Sequence, residues 1–120
     1  MRRASVSIMA SARGLTREVY QLTGSDRFTR DYGLRDQMRR ASVSIMANVA
    51  EGFSRKSDRE FSQFLFIAKS SAAELQSHAY IALDQGYIDE SNFERLYDDL
   101  DHTSRMISNL IKHLAALSTK

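Results

Sequence analysis

The side chains in this sequence that could bind a ligand are mostly cations, and they stand at the two ends of one predicted helix. Arg39 and Arg40 lie near its start with Arg35 one turn earlier, and Arg55 and Lys56 follow its end. Arginine and lysine bind the phosphates of nucleic acids, because each contact releases condensed counterions. We interpret these residues as a candidate nucleic-acid-binding surface. The alternative is a solvated face, or salt bridges between subunits.

Other residues give little support to catalysis or metal binding. The chain has no cysteine, no Ser-His-Asp set and no phosphate-binding glycine loop. Glu74 and His78 have the carboxylate–histidine spacing of di-iron bundles. Asp98 or Asp99 with His102 has a similar spacing. His102 is predicted to point outward, however, and the first two helices contain no histidine. We therefore expect no enzyme activity, no metal and no cofactor.

Four segments have apolar residues three and four positions apart, which predicts four helices over about residues 4–22, 33–51, 57–86 and 89–117. Ser57 and Glu60 form a capping box at the start of the third helix. Gly24 and Gly86 are expected to end the first and third helices, with Gly24 as a left-handed cap. Asp89 caps the fourth helix. Short connections then favour an all-α, antiparallel up-down-up-down four-helix bundle, as a single domain over residues 1–120.

The second and third helices carry more apolar residues than one core requires. Val43 and Met46 lie off the main stripe of the second helix, and Phe66 and Ile67 lie off that of the third. A helix that is apolar on most sides is normally buried on both. We therefore expect a homo-oligomer with these residues at the interface.

Two polar residues of the second helix need partners. Glu51 lies in the last turn, where a carboxylate opposes the negative end of the helix dipole at a cost of about 0.3–1 kcal/mol. Arg55, Lys56 or an arginine from elsewhere should offset this cost. Asn48 interrupts an apolar stretch and is expected to form an interhelical hydrogen bond. We interpret both residues as structural.

Charge is divided unevenly along the chain. Residues 1–56 contain 11 Lys and Arg against 5 Asp and Glu, whereas residues 57–120 contain 6 against 10. The two halves could complement each other between subunits, or the basic half could face a polyanion. No apolar run is long enough to span a membrane. The first residues are too short and too serine-rich for a secretion signal, so we expect a cytoplasmic protein.

Residues 1–10 repeat residues 38–47 letter for letter. No longer-period repeat accompanies them, which argues against a solenoid. A recent duplication or an artefact at the N-terminus is favoured over a functional repeat. The copy keeps helical phase, since Met1, Ala4 and Ile8 continue into the stripe of the first helix. Each copy contains Arg-Arg-Ala-Ser-Val, which looks like a basophilic kinase site, but we expect Ser42 to be buried or half-buried in a packed helix.

Part of this pattern occurs in a known family. It is carried by Tyr32-Gly33-Leu34, Gln37-x-Arg39-Arg40-Ala41-x-Val43-Ser44-Ile45, Asn48-x-Ala50-Glu51-Gly52, Arg55-Lys56-Ser57 and Gly86-Tyr87-Ile88. Through these motifs, residues 11–117 resemble small four-helix bundles encoded in intervening sequences of bacterial 23S ribosomal RNA genes. Related bundles include the accessory protein of diversity-generating retroelements. The sequence departs from the family at residues 1–10, where relatives have a Trp-containing segment, and at Met46, where many have proline.

The resemblance implies a homopentameric barrel with a basic surface, no catalytic activity and a nucleic-acid-binding role. The retroelement members also contact a reverse transcriptase. We therefore expect a non-enzymatic homo-oligomer that binds structured RNA or DNA through backbone charge and shape. The alternative is an assembly scaffold or adaptor for a protein partner, without nucleic-acid binding. Cations on open surface would favour binding, and cations facing acidic side chains of other subunits would favour the scaffold.

Overall fold

The computed structural model describes residues 2–118, with side chains from residue 3 to residue 117, and the described part of the chain contains helices and no strand. The helices are α1 (Arg2–Thr23), α2 (Asp26–Arg30), α3 (Tyr32–Phe53), α4 (Asp58–Asp84) and α5 (Glu90–Ser118). The four long helices correspond to the four predicted ones, with ends displaced by no more than a few residues. None of the described helices is both long and apolar enough to cross a membrane.

The long helices form the predicted antiparallel four-helix bundle. α1 packs against α3 and α5, and α4 packs against the same two helices from the opposite corner. The molecule measures 52 × 22 × 19 Å, so it is about 8 Å longer than its longest helix, α5, which spans about 44 Å. Each long helix therefore has two long neighbours and one outward face.

The apolar stripes predicted from the sequence form one continuous core. Its largest fully buried side chains come from all four long helices and include Ile8, Leu15, Met38, Ile45, Leu65, Leu75, Leu100 and Ile107. Ile8 and Ile45 occupy the same position in the two copies of the repeated decamer, so the N-terminal copy does continue the core. Ser42 is fully buried, as expected for a packed helix. Met1 lies outside the described residues.

The helix ends follow mainly from local side-chain chemistry. The Ser57 hydroxyl accepts a hydrogen bond from the Glu60 N–H at 3.1 Å, and the Asp89 carboxylate accepts one from the Asn92 N–H at 2.7 Å. These contacts confirm both predicted N-caps. Gly86 has φ of +73°, and the next N–H, of Tyr87, donates to the Ala82 carbonyl. This is the left-handed helix end that glycine favours.

The prediction of a left-handed cap at Gly24 is wrong. Within the described residues, the only positive φ belongs to Gly86. Gly24 does follow the last residue of α1, but its N–H closes a tight turn on the Gln21 carbonyl at 3.3 Å. The Ser25 hydroxyl donates to the Leu22 carbonyl at 3.0 Å. Because these bonds already satisfy the carbonyl end of α1, the chain can turn directly into α2 without a left-handed residue.

Helix α2 was not predicted. It has five residues, which is too short to show a 3.6-residue period. Its Phe28 is fully buried and stacks on Tyr87, with ring centroids 5.0 Å apart. The Tyr87 hydroxyl donates to the Asp31 carboxylate at 3.0 Å, and Asp31 also accepts from the Leu34 N–H to cap α3. Helix α2 thus closes one end of the bundle and fixes the start of α3.

Candidate nucleic-acid interface

The five predicted phosphate-binding cations form two groups and not one cluster. Arg35, Arg39 and Arg40 lie in the first half of α3, whereas Arg55 and Lys56 lie in the loop between α3 and α4. Sixteen residues separate Arg39 from Arg55, which corresponds to about 24 Å along a helix. Any single ligand that contacts both groups must therefore be extended.

In the first group, the charges of Arg35 and Arg39 are already engaged within the protein. The Arg35 guanidinium lies 2.9 Å from the Asp36 carboxylate and 4.9 Å from the centre of the Tyr32 ring. The Arg39 Nε donates to the Thr23 hydroxyl at 2.9 Å, and the guanidinium lies 4.6 Å from the centre of the Tyr20 ring. Arg39 therefore connects α3 to α1, in addition to any role in binding.

The helix-end carboxylate Glu51 has the partner that its position requires. The Arg55 Nη2 lies 3.1 Å from Glu51 Oε1, and the Arg55 guanidinium also lies 4.8 Å from the centre of the Phe64 ring. This confirms the expectation that Arg55 offsets Glu51. Arg40 and Lys56 are exposed and form no hydrogen bond or ion pair among residues 3–117. They are the two predicted cations whose charge is fully available.

The predicted interface residues fall into two groups. Val43, Phe66 and Ile67 are 44%, 54% and 48% exposed, which is unusual for large apolar side chains. Met46 is partly buried and packs against the core, so it presents less surface than these three residues, and its place at an interface stays a prediction. This partial burial follows from its direction: Met46 lies seven residues after Arg39, and Arg39 faces α1. Met46 therefore points to the α1 side of α3, away from α4.

Asn48 does not make the interhelical hydrogen bond that was predicted for it. Its amide donates within α3 to the carbonyl and hydroxyl of Ser44, at 2.8 and 3.1 Å. The bond between α3 and α4 is formed instead by the hydroxyls of Ser44 and Ser71 at 2.8 Å. Asn48 thus orients Ser44, and the Ser44 hydroxyl forms the hydrogen bond to the neighbouring helix α4.

The histidines do not converge on one another or on carboxylates. His102 is exposed, as predicted, whereas His78 is 9% exposed and its Nδ1 has no hydrogen-bond partner among the described residues. The described part of the chain contains no group of three or more His, Asp or Glu side chains that could hold a metal ion.

Phe53 lies beside the basic loop, where an aromatic ring could in principle stack on a base. Its ring instead packs edge-on against Phe61, with centroids 4.8 Å apart, and it is partly buried against the core. The hydrophobic contact inside the protein takes the place of a stacking contact with a ligand.

Sequence reasoning missed Arg13 and Arg17 of α1. Both are exposed, and neither forms a hydrogen bond or ion pair within residues 3–117. With Tyr20 they are spaced i, i+4 and i+7, so they share one face of α1. Because Tyr20 contacts Arg39 of α3, this face lies toward α3. The sequence shows this spacing, but it does not show against which side of α1 helix α3 packs.

A carboxylate lies on the opposite side of α1. Glu18 is half-buried near Asp99 and Arg95 of α5, and burial raises its pKa to about 7. The charge of Asp99 and a hydrogen bond with Asp99 also raise the pKa, and Arg95 acts in the opposite direction. The folded protein therefore holds this proton more tightly than the unfolded chain, whose value is 4.5.

The folded protein keeps this proton up to about pH 7, whereas the unfolded chain loses it near pH 4.5. The free energy of unfolding should therefore fall as the pH rises from about 4.5 to about 7. Glu18→Gln should raise the free energy of unfolding by about 1 kcal/mol at pH 8, a value discounted because Glu18 is partly exposed. The same change should have little effect at pH 5. Thermal unfolding at both pH values measures the effect. Glu94→Gln, an exposed change on α5, is the control. An equal shift for Glu18→Gln at both pH values would contradict the prediction.

The fold defines this chain as an all-α four-helix-bundle protein in which the segment from α1 to the loop after α3 carries 11 of the 17 Lys and Arg residues. Residues 5–109 match the family described as 23S rRNA-intervening sequence protein, and the chain belongs to this family. The match confirms the resemblance found in the sequence motifs.

A solved structure gives the same result for the fold. It is a protein of unknown function from the S23 ribosomal protein family of Bacteroides thetaiotaomicron, solved at 1.70 Å. It superposes with a TM-score of 0.83 at 20% sequence identity, covering 91% of this chain and 98% of that chain. At this identity the likeness shows the shared fold alone. No curated protein matches the chain.

Proposed function

We propose that this protein is a non-enzymatic, cytoplasmic nucleic-acid-binding protein that contacts the phosphate backbone of structured RNA or DNA. The observation that carries the proposal is the free charge of Arg40 and Lys56. Both side chains are exposed, and no carboxylate of the described chain pairs with either. Lysine and arginine that are not neutralised within the protein bind phosphates by releasing counterions.

The distribution of charge supports the same proposal. α1 contributes Arg13 and Arg17 to the side that already carries the α3 cations. Helix α5 is acidic on balance, since it carries Glu90, Glu94, Asp98, Asp99 and Asp101 against Arg95, Arg105 and Lys112. One side of the bundle is therefore suited to a polyanion, and the side with α5 would repel it. The family description refers to 23S rRNA, which makes structured RNA the first ligand to test.

Self-assembly is a second part of the proposal. α3 and α4 present Val43, Phe66 and Ile67 to solvent, together with the small exposed residues Ala47 and Ala73. Exposed apolar side chains of this kind commonly mark a protein interface. We propose that copies of this chain associate through the outer face of α4 and the apolar residues Val43 and Ala47 of α3, with Arg40, which shares that side of α3, left accessible at the edge of the interface. Five copies are what the family resemblance implies.

The same apolar face favours a second candidate function, an assembly scaffold or protein adaptor. In that case the free cations would meet acidic side chains of other subunits or of a partner protein. The two candidates differ in one testable respect, because only the first predicts direct binding of a purified nucleic acid.

Replacing both free cations tests the first candidate. Arg40→Ala with Lys56→Ala should weaken binding to a labelled hairpin RNA by about tenfold or more at about 50 mM salt, because two phosphate contacts are lost. Neither side chain has a partner within the described protein, so the fold should remain intact. Fluorescence anisotropy gives the affinity, and circular dichroism checks the helix content.

The matched control is Lys69→Ala with Lys112→Ala, which removes the same charge from exposed positions on α4 and α5. This control should bind within about twofold of the unchanged protein if the binding is localised. Equal losses in the two double variants would show that only total charge matters. No binding by the unchanged protein, with its assembly intact, would leave the scaffold as the remaining candidate.

A further inference from the structure

A groove runs along the surface where α1 meets α3. One shallow hollow is lined by Val6, Ala10 and Arg13 of α1 and by Ala50 and Phe53 of α3. A second hollow lies beyond it. It is lined by Phe53 together with Arg55 and Lys56 of the following loop. Ser5 and Phe53 line both hollows, so the two are continuous.

Cations line the two hollows and continue beyond them along the surface where α1 meets α3. Arg55 and Lys56 lie at one end, and Arg13 lies in the first hollow. Arg17 lies one turn further along the same face of α1, and Tyr20 with its stacked Arg39 follows at the other end. Asp58 is the one carboxylate among the residues that line either hollow. Arg13 and Arg17 therefore fill the interval of about 24 Å between the two groups of α3 and loop cations.

The groove presents charge more than stacking surface. Phe53 packs edge-on against Phe61, and the Arg39 guanidinium covers one face of Tyr20 at 4.6 Å. Binding of single strands normally relies on open aromatic rings on which successive bases stack. A backbone with regularly spaced phosphates requires no such ring. A distance of about 24 Å along the axis of a B-form duplex corresponds to roughly seven base pairs.

We propose that the phosphate backbone of a double-helical nucleic acid lies along the α1–α3 groove, and that Arg13 and Arg17 bind it between the two predicted groups of cations. This inference rests on the proposed function and adds to it the path, two further binding residues and the preference for a helical stem. It also explains why Arg39 is separated from Arg55 and Lys56, since they lie at opposite ends of one extended site.

The test is the double variant Arg13→Ala with Arg17→Ala. Its affinity for a hairpin RNA with a stem of about ten base pairs should fall by about tenfold at about 50 mM salt. On a matched duplex DNA, the slope of log K against log salt concentration should become shallower by about 1.8, which is two phosphate contacts. The control is Lys69→Ala with Lys112→Ala, which should keep the slope of the unchanged protein.

The outcomes separate this inference from the function on which it rests. If the unchanged protein binds no nucleic acid at about 50 mM salt, the proposed function itself fails. If Arg40→Ala with Lys56→Ala weakens binding but Arg13→Ala with Arg17→Ala leaves both affinity and slope unchanged, the groove path is wrong and the function stands. A single-stranded RNA of equal length that binds as tightly as the hairpin would overturn the preference for a helical stem.

Discussion

Replacing Gly52 by alanine is expected to lower the free energy of unfolding by about 2 kcal/mol, because the added methyl group overpacks the contact between α3 and α4. A Cβ at this position would lie 2.9 Å from Cδ1 of Phe61 and 3.3 Å from its backbone oxygen. The Phe61 ring is buried and packs against Phe53, so it has little room to move. The backbone oxygen can move only if the helix itself shifts.

Urea unfolding at a fixed protein concentration measures this loss. Gly14→Ala is a matched control, because the same methyl group at Gly14 meets no atom within 4 Å. Gly14 lies inside α1, where alanine favours the helix, so this change should stabilise the protein by about 0.5–1 kcal/mol. A Gly52→Ala protein at least as stable as the original would show that α3 and α4 are not in close contact here.

Placing charge on the outer face of α4 is expected to abolish self-assembly. Phe66 and Ile67 are about half exposed in the single chain, so Phe66→Glu with Ile67→Glu should leave the bundle folded. At an interface, each lost apolar side chain costs about 1.5–3 kcal/mol, and each buried unpaired carboxylate costs more. The double variant should therefore sediment as a folded monomer at concentrations where the unchanged protein is an oligomer.

Val6→Glu provides the control for this experiment. Val6 is 64% exposed but lies on α1, so the same substitution there should leave the oligomer intact if α3 and α4 form the interface. Sedimentation velocity distinguishes the species, and far-ultraviolet circular dichroism reports the fold. A monomeric unchanged protein, or an oligomer that tolerates both glutamates, would contradict the proposed interface.

The sequence was sufficient to predict the long helices because each shows its apolar period over five or more turns. The caps at Ser57 and Asp89 were equally predictable, since each depends on residues only three positions apart. Helix α2 was not predictable by this means because one turn and a half shows no period. Gly24 was misjudged because its conformation depends on the start of α2.

The candidate site was only partly predictable because its geometry depends on which helices are neighbours. Periodicity places Arg39 and Met46 on one side of α3, but it does not show that this side faces α1. Arg13 and Arg17 were not predicted for the same reason. Their spacing with Tyr20 points to the site only because Tyr20 contacts Arg39 of α3. The partner of Glu51 was predictable because Arg55 lies one turn away, whereas the link from Ser44 to Ser71 depends on the register of α3 against α4.

The salt dependence of hairpin-RNA binding by the unchanged protein tests the central claim most directly. If the protein binds through backbone charge, its affinity should fall steeply between about 50 and 200 mM salt. On duplex DNA, one phosphate contact for each of the five cations predicted from the sequence corresponds to a slope of about −4.5 in log K against log salt concentration. No binding at the lower salt concentration, or binding that does not change with salt, would contradict the proposal that this bundle recognises a nucleic-acid backbone.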